Sequence, residues 1–235
     1  MKTKLWTALI ALYVVWGSTY LAIRFAVETI PPFFHASLRF LVSGLILFLW
    51  RRAAGDPMPT RGNWKSTAIV GTLLLVGGNG LVAFAEQSVP SGIAALVITT
   101  SPFWLVLFES LRAGGAKPNR MIILGLLIGF SGVFLLVGPG EIAGAEHKFD
   151  TFGITLLLIA PVLWSLGSIY ARGADMPKST LMSTGMQMLA GAVSLFVVSL
   201  ATGELNGFSF GDVSMRSWWG LLYLITFGSL VGFVS

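Results

Sequence analysis

The stretch Trp16-Gly17-Ser18-Thr19-Tyr20, followed by the Ile30-Pro31-Pro32 turn and then Arg39-Phe40, has a counterpart later in the chain. There Leu163-Trp164-Ser165 precedes the Asp175-Met176-Pro177 turn and then Gln187. Trp16 stands 23 residues before Arg39, and Trp164 stands 23 residues before Gln187, so the two passages are offset by 148 residues. Each passage joins a Trp-bearing apolar segment to a second apolar segment through a turn containing Pro. Self-similarity of this kind in a very apolar chain is a sequence sign of a secondary transporter.

Composition supports a membrane solvent. Hydrophobic residues make up 55% and charged residues 11% of the 235 residues, where a typical soluble domain carries about 25% charged residues. Mean hydropathy is +0.83. The chain has no cysteine, which removes a disulfide framework and a thiolate zinc site. Its formal charge of +5 is dispersed between apolar runs rather than gathered in a patch. A lipid bilayer is therefore the expected partner; nucleic acid is not, and no metal or cofactor is expected.

A helix needs roughly 20 apolar residues to cross the hydrocarbon core. Eight stretches qualify: Leu5–Val27, Phe33–Trp50, Trp64–Ala85, Ser91–Leu111, Met121–Val137, Phe152–Ala171, Leu181–Thr202 and Trp218–Ser235. The first follows Lys2 and Lys4 but is too long for a usual signal-peptide core, so it reads as a retained helix. With the amino terminus in the cytoplasm, eleven Lys and Arg residues fall inside and only Lys148 and Arg216 outside. That bias orients the chain as a multi-pass protein of the cytoplasmic (inner) membrane.

Five spans precede the acidic segment Glu141–Asp150 and three follow it. The offset maps span one onto six and span two onto seven, and Gly71 of span three falls near Gly220 of span eight. An odd number of spans per unit turns the second copy upside down, predicting two inverted units about a mid-depth site. The expected organisation is a first unit over residues 1–138, an outer loop over 139–150 and a second unit over 151–235.

The Trp16-Gly17-Ser18-Thr19-Tyr20 motif, the Pro31-Pro32 turn and Arg39-Phe40 resemble the EamA-type members of the drug/metabolite transporter superfamily. Gly138-Pro139 and Leu163-Trp164-Ser165 fit the same resemblance, which covers essentially the whole chain. It implies two inverted five-helix units around a central cavity, and export of metabolites or amino acids. Against that pattern the sequence ends at Ser235 in span eight, so the second unit reads as truncated after its third helix. Assembly as a homodimer, or with another polypeptide, is the expected remedy.

Arg39 is the sharpest candidate for substrate binding, because a membrane-embedded Arg needs a partner or water. It can receive a carboxylate or phosphate, or it can clasp backbone carbonyls or Glu86. Gln187 at the equivalent position is neutral. Trp16, Tyr20 and Trp164 offer stacking faces and N–H or O–H donors. Asn79, within Gly77-Gly78-Asn79-Gly80, suits either an unwound turn aimed at substrate or close helix packing. Ser101, before the helix-breaking Pro102, can be aimed into a cavity by the kink or serve shape alone. Glu86, at the outer end of span three, is the candidate for proton coupling. Arg24 is expected to pair with Glu28 one helical turn on, and the GxxxG at Gly125 and Gly129 to mediate helix packing.

Other functions find less support. Gly129-Phe130-Ser131-Gly132 matches the surroundings of a membrane-protease serine, but neither His35 nor His147 is spaced to act as its base. A multidrug exporter of lipophilic cations wants an embedded carboxylate, whereas the embedded charge is Arg39. The substrate is expected to be anionic, zwitterionic or neutral. A non-transporting membrane scaffold is the further alternative.

Overall fold

The computed structural model describes residues 2–112, 114–142 and 150–232. Most of the expected outer loop, including Glu146, His147 and Lys148, lies outside the described residues, as does Ser235. Among the described residues the fold is all helical. The long helices are α1 (Lys2–Ala26), α2 (Pro32–Ala53), α3 (Arg61–Ala85), α4 (Ser91–Leu111), α5 (Arg120–Ile142), α6 (Thr151–Ala171) and α7 (Thr180–Ala201). The last, α8, runs Met215–Tyr223 and continues through Leu224–Val231. By length and composition α2, α3, α4, α6 and α7 can cross a membrane, and α5 contributes a shorter apolar stretch, Arg120–Gly132.

Local chemistry starts these helices. Thr60 and Asn63 form a reciprocal capping box on α3. Asp150 accepts from the N–H groups of Phe152 and Gly153, both at 3.1 Å, to open α6. Ser179 and Ser214 cap α7 and α8 in the same way. The start of α2 is capped from elsewhere in the chain: the Glu204 carboxylate accepts from Phe33 N–H at 3.2 Å and Phe34 N–H at 3.1 Å. This carboxylate at a helix N-terminus also matches the macrodipole.

The α2–α7 pair lies at the centre, and glycine brings its backbones together. A Cβ on Gly44 would stand 3.0 Å from the Gly185 carbonyl oxygen, and one on Gly185 would stand 3.0 Å from Phe48 N. Gly220 of α8 lies against Ala22 and Ala26 of α1 in the same manner. In lipid such close approach supplies the packing that hydrophobic exclusion supplies in water. One core cluster joins Ala22, Ile23 and Ala26 to Ala83, Ala94, Leu157 and Leu224; another joins Phe40 and Leu47 to Leu75, Met188 and Leu195.

Two segments depart from α-helical winding. Thr72–Gly80 of α3 and Leu224–Val231 of α8 are wound in wider π turns. The glycine-rich stretch at 77–80 therefore stays helical instead of unwinding. Each glycine admits a neighbour: Gly77 faces Leu163, Gly78 faces Trp164, and Gly80 faces Phe33 and Leu195. In α4 the winding breaks at Thr99 and Thr100, between Ser91–Ile98 and Ser101–Leu111. Pro102 has no N–H for the Ile98 carbonyl, and the Ser101 hydroxyl takes that carbonyl at 2.6 Å.

Two expectations are corrected. Arg24 does not pair with Glu28: it donates to the backbone carbonyls of Glu86 and Gln87, while Glu28 binds Arg216 at 3.1 Å. Glu28 lies past the end of α1 at Ala26, in the turn, where it is taken by Arg216, and the open carbonyls at the negative end of α3 receive the Arg24 guanidinium. Among the described residues Gly125 and Gly129 do not pack against another helix, since a Cβ at either would meet nothing within 4 Å. The two glycines sit on α5 among Met121, Ile128 and other exposed apolar side chains, where no described helix faces them.

Candidate functional site

The two tryptophans of the sequence offset meet. Trp16 of α1 and Trp164 of α6 touch edge to face, with ring centroids 6.4 Å apart and planes at 83°. Each lies over a glycine of a π-wound helix or its end. A Cβ on Gly78 would stand 2.6 Å from Trp164, and one on Gly232 would stand 3.1 Å from Trp16 Nε1. Exchanging α1 with α6 and α3 with α8 thus exchanges one contact for the other.

Arg39 is 1% exposed and binds α8 at Gly228, one turn before the Gly232 that Trp16 covers. Its Nε donates to Ser229 Oγ at 2.7 Å and its Nη2 to the Gly228 carbonyl at 3.0 Å. The guanidinium also stands 4.7 Å from the centre of the Phe40 ring. All of these partners are uncharged. Among the described residues no carboxylate lies within ion-pairing distance of Arg39. Glu86, offered above as one possible clasp, is not among its hydrogen-bond partners. Among the described residues the site therefore holds a buried cation on dipoles and a π face, with no counter-charge paired to it.

The remaining candidates divide by what their polar groups already do. Gln187 donates to Ser183 Oγ at 3.0 Å on its own helix. Asn79 donates to the Leu74 carbonyl at 3.4 Å, within the π-wound segment. Ser101 is occupied by Ile98, and its own carbonyl accepts from Ser165 at 3.3 Å. Tyr20 is half-buried against the cluster formed by α1, α3, α4 and α6, within Coulombic range of Glu86. Glu86 is 0% exposed, and neither carboxyl oxygen has a hydrogen-bond partner.

Sequence reasoning did not single out Ser18, Tyr223, Gly228 and Ser229. Ser18 Oγ and Tyr223 Oη are 2.6 Å apart, joining α1 to α8 two residues on from Trp16. Gly228-Ser229 in the middle of an apolar span was the available signal: a glycine allowing close approach, followed by a hydroxyl.

Above this level, beside the α1–α2 turn, a cavity of about 340 Å³ is lined by residues including Glu28, Pro32, Phe84, Gln87 and Glu204. It opens on the side that the charge distribution assigns to the exterior. Glu204 is already engaged there in capping α2.

Comparison with known proteins agrees with this architecture. The chain is 36% identical over 229 residues to the "Uncharacterized inner membrane transporter YedA" of Escherichia coli (strain K12), covering 97% of this chain and 71% of that protein. It is 27% identical to a WAT1-related chloroplastic protein of Arabidopsis thaliana, covering 97% of this chain and 55% of that one. It is 24% identical to the "Uncharacterized transporter YoaV" of Bacillus subtilis, covering 94% and 74%. A crystal structure at 20% identity superposes with a TM-score of 0.69 over 97% of this chain and 75% of that chain, a likeness of fold. The EamA-like transporter family model matches residues 4–138. With that match over more than half its length, and with apolar helices able to span a bilayer, the chain is a membrane protein belonging to the EamA-like transporter family.

Proposed function

We propose that this chain is a secondary transporter of the inner membrane that exports small metabolites or amino acids by alternating access, with its amino terminus in the cytoplasm. Arg39 receives the anionic group of the cargo. One observation carries this reading: among the described residues, a fully buried guanidinium is held by a hydroxyl, a carbonyl and a ring face, with no carboxylate paired to it. A carboxylate arriving at Arg39 pairs charge with charge and can accept two parallel N–H bonds, which is stronger than either bond from the guanidinium to an uncharged acceptor that it displaces. Displacement of Ser229 and Gly228 releases the middle of α8 from α2, which couples occupancy to movement. The exchangeable Trp–Gly contacts support two inverted units hinged about Trp16 and Trp164, with Tyr20, Asn79, Ser101 and Gln187 along the path.

The test uses the purified chain in liposomes loaded with a panel of radiolabelled amino acids and small carboxylates, with ethidium as a lipophilic cation. Efflux of an anion or zwitterion, lost in Arg39→Ala that stays monodisperse and helical, is the expected result. Ser229→Ala removes a competing acceptor but keeps the guanidinium, and is expected to tighten binding of the same compound. Full transport by Arg39→Ala, or transport of ethidium alone, refutes the anion-binding role.

A further inference from the structure

We infer that Glu86 is a proton-binding site whose proton decides whether Arg24 holds α1 against the end of α3. Glu86 follows Ala85, the last residue of α3, and is wholly buried with both carboxyl oxygens unpartnered. The other carboxylates with printed contacts differ: Glu28, Asp56 and Glu109 hold arginines, Asp150 holds Ser88 and two N–H groups, Asp175 holds an amide, and Glu204 caps α2. A carboxylate buried without a partner is strongly disfavoured, and the negative end of the α3 dipole disfavours it further. In this arrangement Glu86 carries its proton.

Among the described residues Glu86 interacts electrostatically with two groups of α1: Arg24 acts on its carboxyl, and Glu86 in turn acts on the Tyr20 hydroxyl. Arg24 spends its Nη1 on the backbone carbonyls of Glu86 and Gln87, the latter at 3.0 Å, and not on the carboxyl. These bonds tie α1 to α3. When the Glu86 O–H bond breaks and the proton passes to water, the new carboxylate needs a cation, and Arg24 is the cation beside it. Arg24 then exchanges two neutral carbonyls for a charged acceptor, which uncaps α3 and loosens the α1–α3 seam. Reprotonation restores the cap. Arg24 keeps its own proton throughout.

The placement connects this exchange to the proposed cargo site. Trp16, Tyr20 and Arg24 are spaced four apart and so share one face of α1. Arg24 lies about 12 Å along the axis from Trp16. A shift of α1 on loss of the Glu86 proton therefore moves the Trp16–Trp164 contact. That this proton drives transport rests on the function proposed above; the proton site itself does not.

Dicyclohexylcarbodiimide, which attacks protonated carboxyls in apolar surroundings, is the probe. Purified wild-type protein in liposomes is treated across a pH series and its peptides are analysed by mass spectrometry. Label on Glu86 at neutral pH is expected, falling about tenfold per pH unit above the titration point. Label should persist on Glu86 in Glu204→Gln and be absent from Glu86→Gln. Failure of Glu86 to label, or equal label at every pH, overturns the site. For coupling, efflux of any panel compound should accelerate under an imposed pH gradient in wild type and not in Glu86→Gln; an unchanged response in the variant overturns coupling. A labelled Glu86 in a protein that transports nothing counts against the transport reading alone. Transport with an unlabelled Glu86 counts against the proton site alone.

Discussion

Replacing Gly44 by Ala should destabilise the chain, whereas the same replacement at Gly129 should not. A Cβ on Gly44 would stand 2.9 Å from Met188 Cβ, 3.0 Å from the Gly185 oxygen and 3.0 Å from Leu189 N. Two of these atoms are backbone and the third is fixed to it, so no side chain can rotate out of the way. Carbon atoms pack at about 3.5–4.0 Å, so α2 and α7 must separate by roughly 0.5–1 Å, enough to forfeit a quarter to a half of each affected contact. Overpacking of this kind costs about 1–3 kcal/mol, partly offset by about 0.5–1 kcal/mol for replacing glycine within a helix. The net loss at Gly44 is about 0.5–2 kcal/mol, a factor of roughly 2–30 in the ratio of folded to unfolded protein. At Gly129 nothing lies within 4 Å of the new carbon. Only the helix term remains there, and the variant should gain about 0.5–1 kcal/mol. Titration of both variants with SDS from maltoside micelles, followed by circular dichroism and tryptophan fluorescence, measures the two shifts. Equal shifts, or a neutral Gly44→Ala, would refute the view that backbone contact between α2 and α7 holds the centre of the fold.

Glu204→Ala should cost about 0.5–2 kcal/mol in the same titration, because Phe33 and Phe34 lose their cap, and Glu204→Gln should cost less because an acceptor remains. A loss at Gln equal to that at Ala would show that acceptor geometry contributes nothing. In the α2–α3 connection, the Asp56 carboxyl falls from its ordinary 3.8 to about 2, chiefly through its bonds from Arg51, with Ser179 assisting. Its folded value is the lower one, so the stabilisation is fully present above about pH 3.8 and is lost as pH falls through about 2. Unfolding midpoints of wild type and Asp56→Asn measured down that range should converge at the acid end; a constant gap between them would contradict the assignment.

The five spans α2, α3, α4, α6 and α7 were legible in the sequence because crossing a bilayer is a property of length and apolarity, both local. The starts of α3 and α7 were equally local, since Thr60, Asn63 and Ser179 cap helices from adjacent positions. What the sequence withheld was the rotation of each helix about its axis. A helix that is apolar on every side has no face that hydropathy can pick out. Glu28 and Arg24 share a face by spacing, yet they serve different neighbours, Arg216 on α8 and the end of α3. Arg39 was identifiable as a buried cation, but its partners lie 189 and 190 residues away. Only the offset between Trp16 and Trp164 carried long-range information, and those two rings do touch.

On the proposed reading, equivalence in sequence does not mean equivalence in chemistry. Thr19, Ser101 and Ser168 each return their hydroxyl to a carbonyl on their own helix, and Gln187 is bonded to Ser183 one turn away. Groups closed in this way gain little from cargo, because any bond to it replaces one already made. Arg39 and Glu86 are different. Among the described residues the first is a charge without a paired carboxylate, and the second is a carboxyl without a hydrogen-bond partner. Both belong to the first half of the chain, and Gln187 is the uncharged counterpart of Arg39. An inverted pair of units can supply a symmetric hinge at the Trp16–Trp164 contact while one unit alone supplies recognition and protonation. Movement then requires both halves, but the groups that distinguish loaded from empty lie on one. The tests at Arg39 and Glu86 therefore probe the chemistry, and the test at Gly44 probes the frame on which it is mounted.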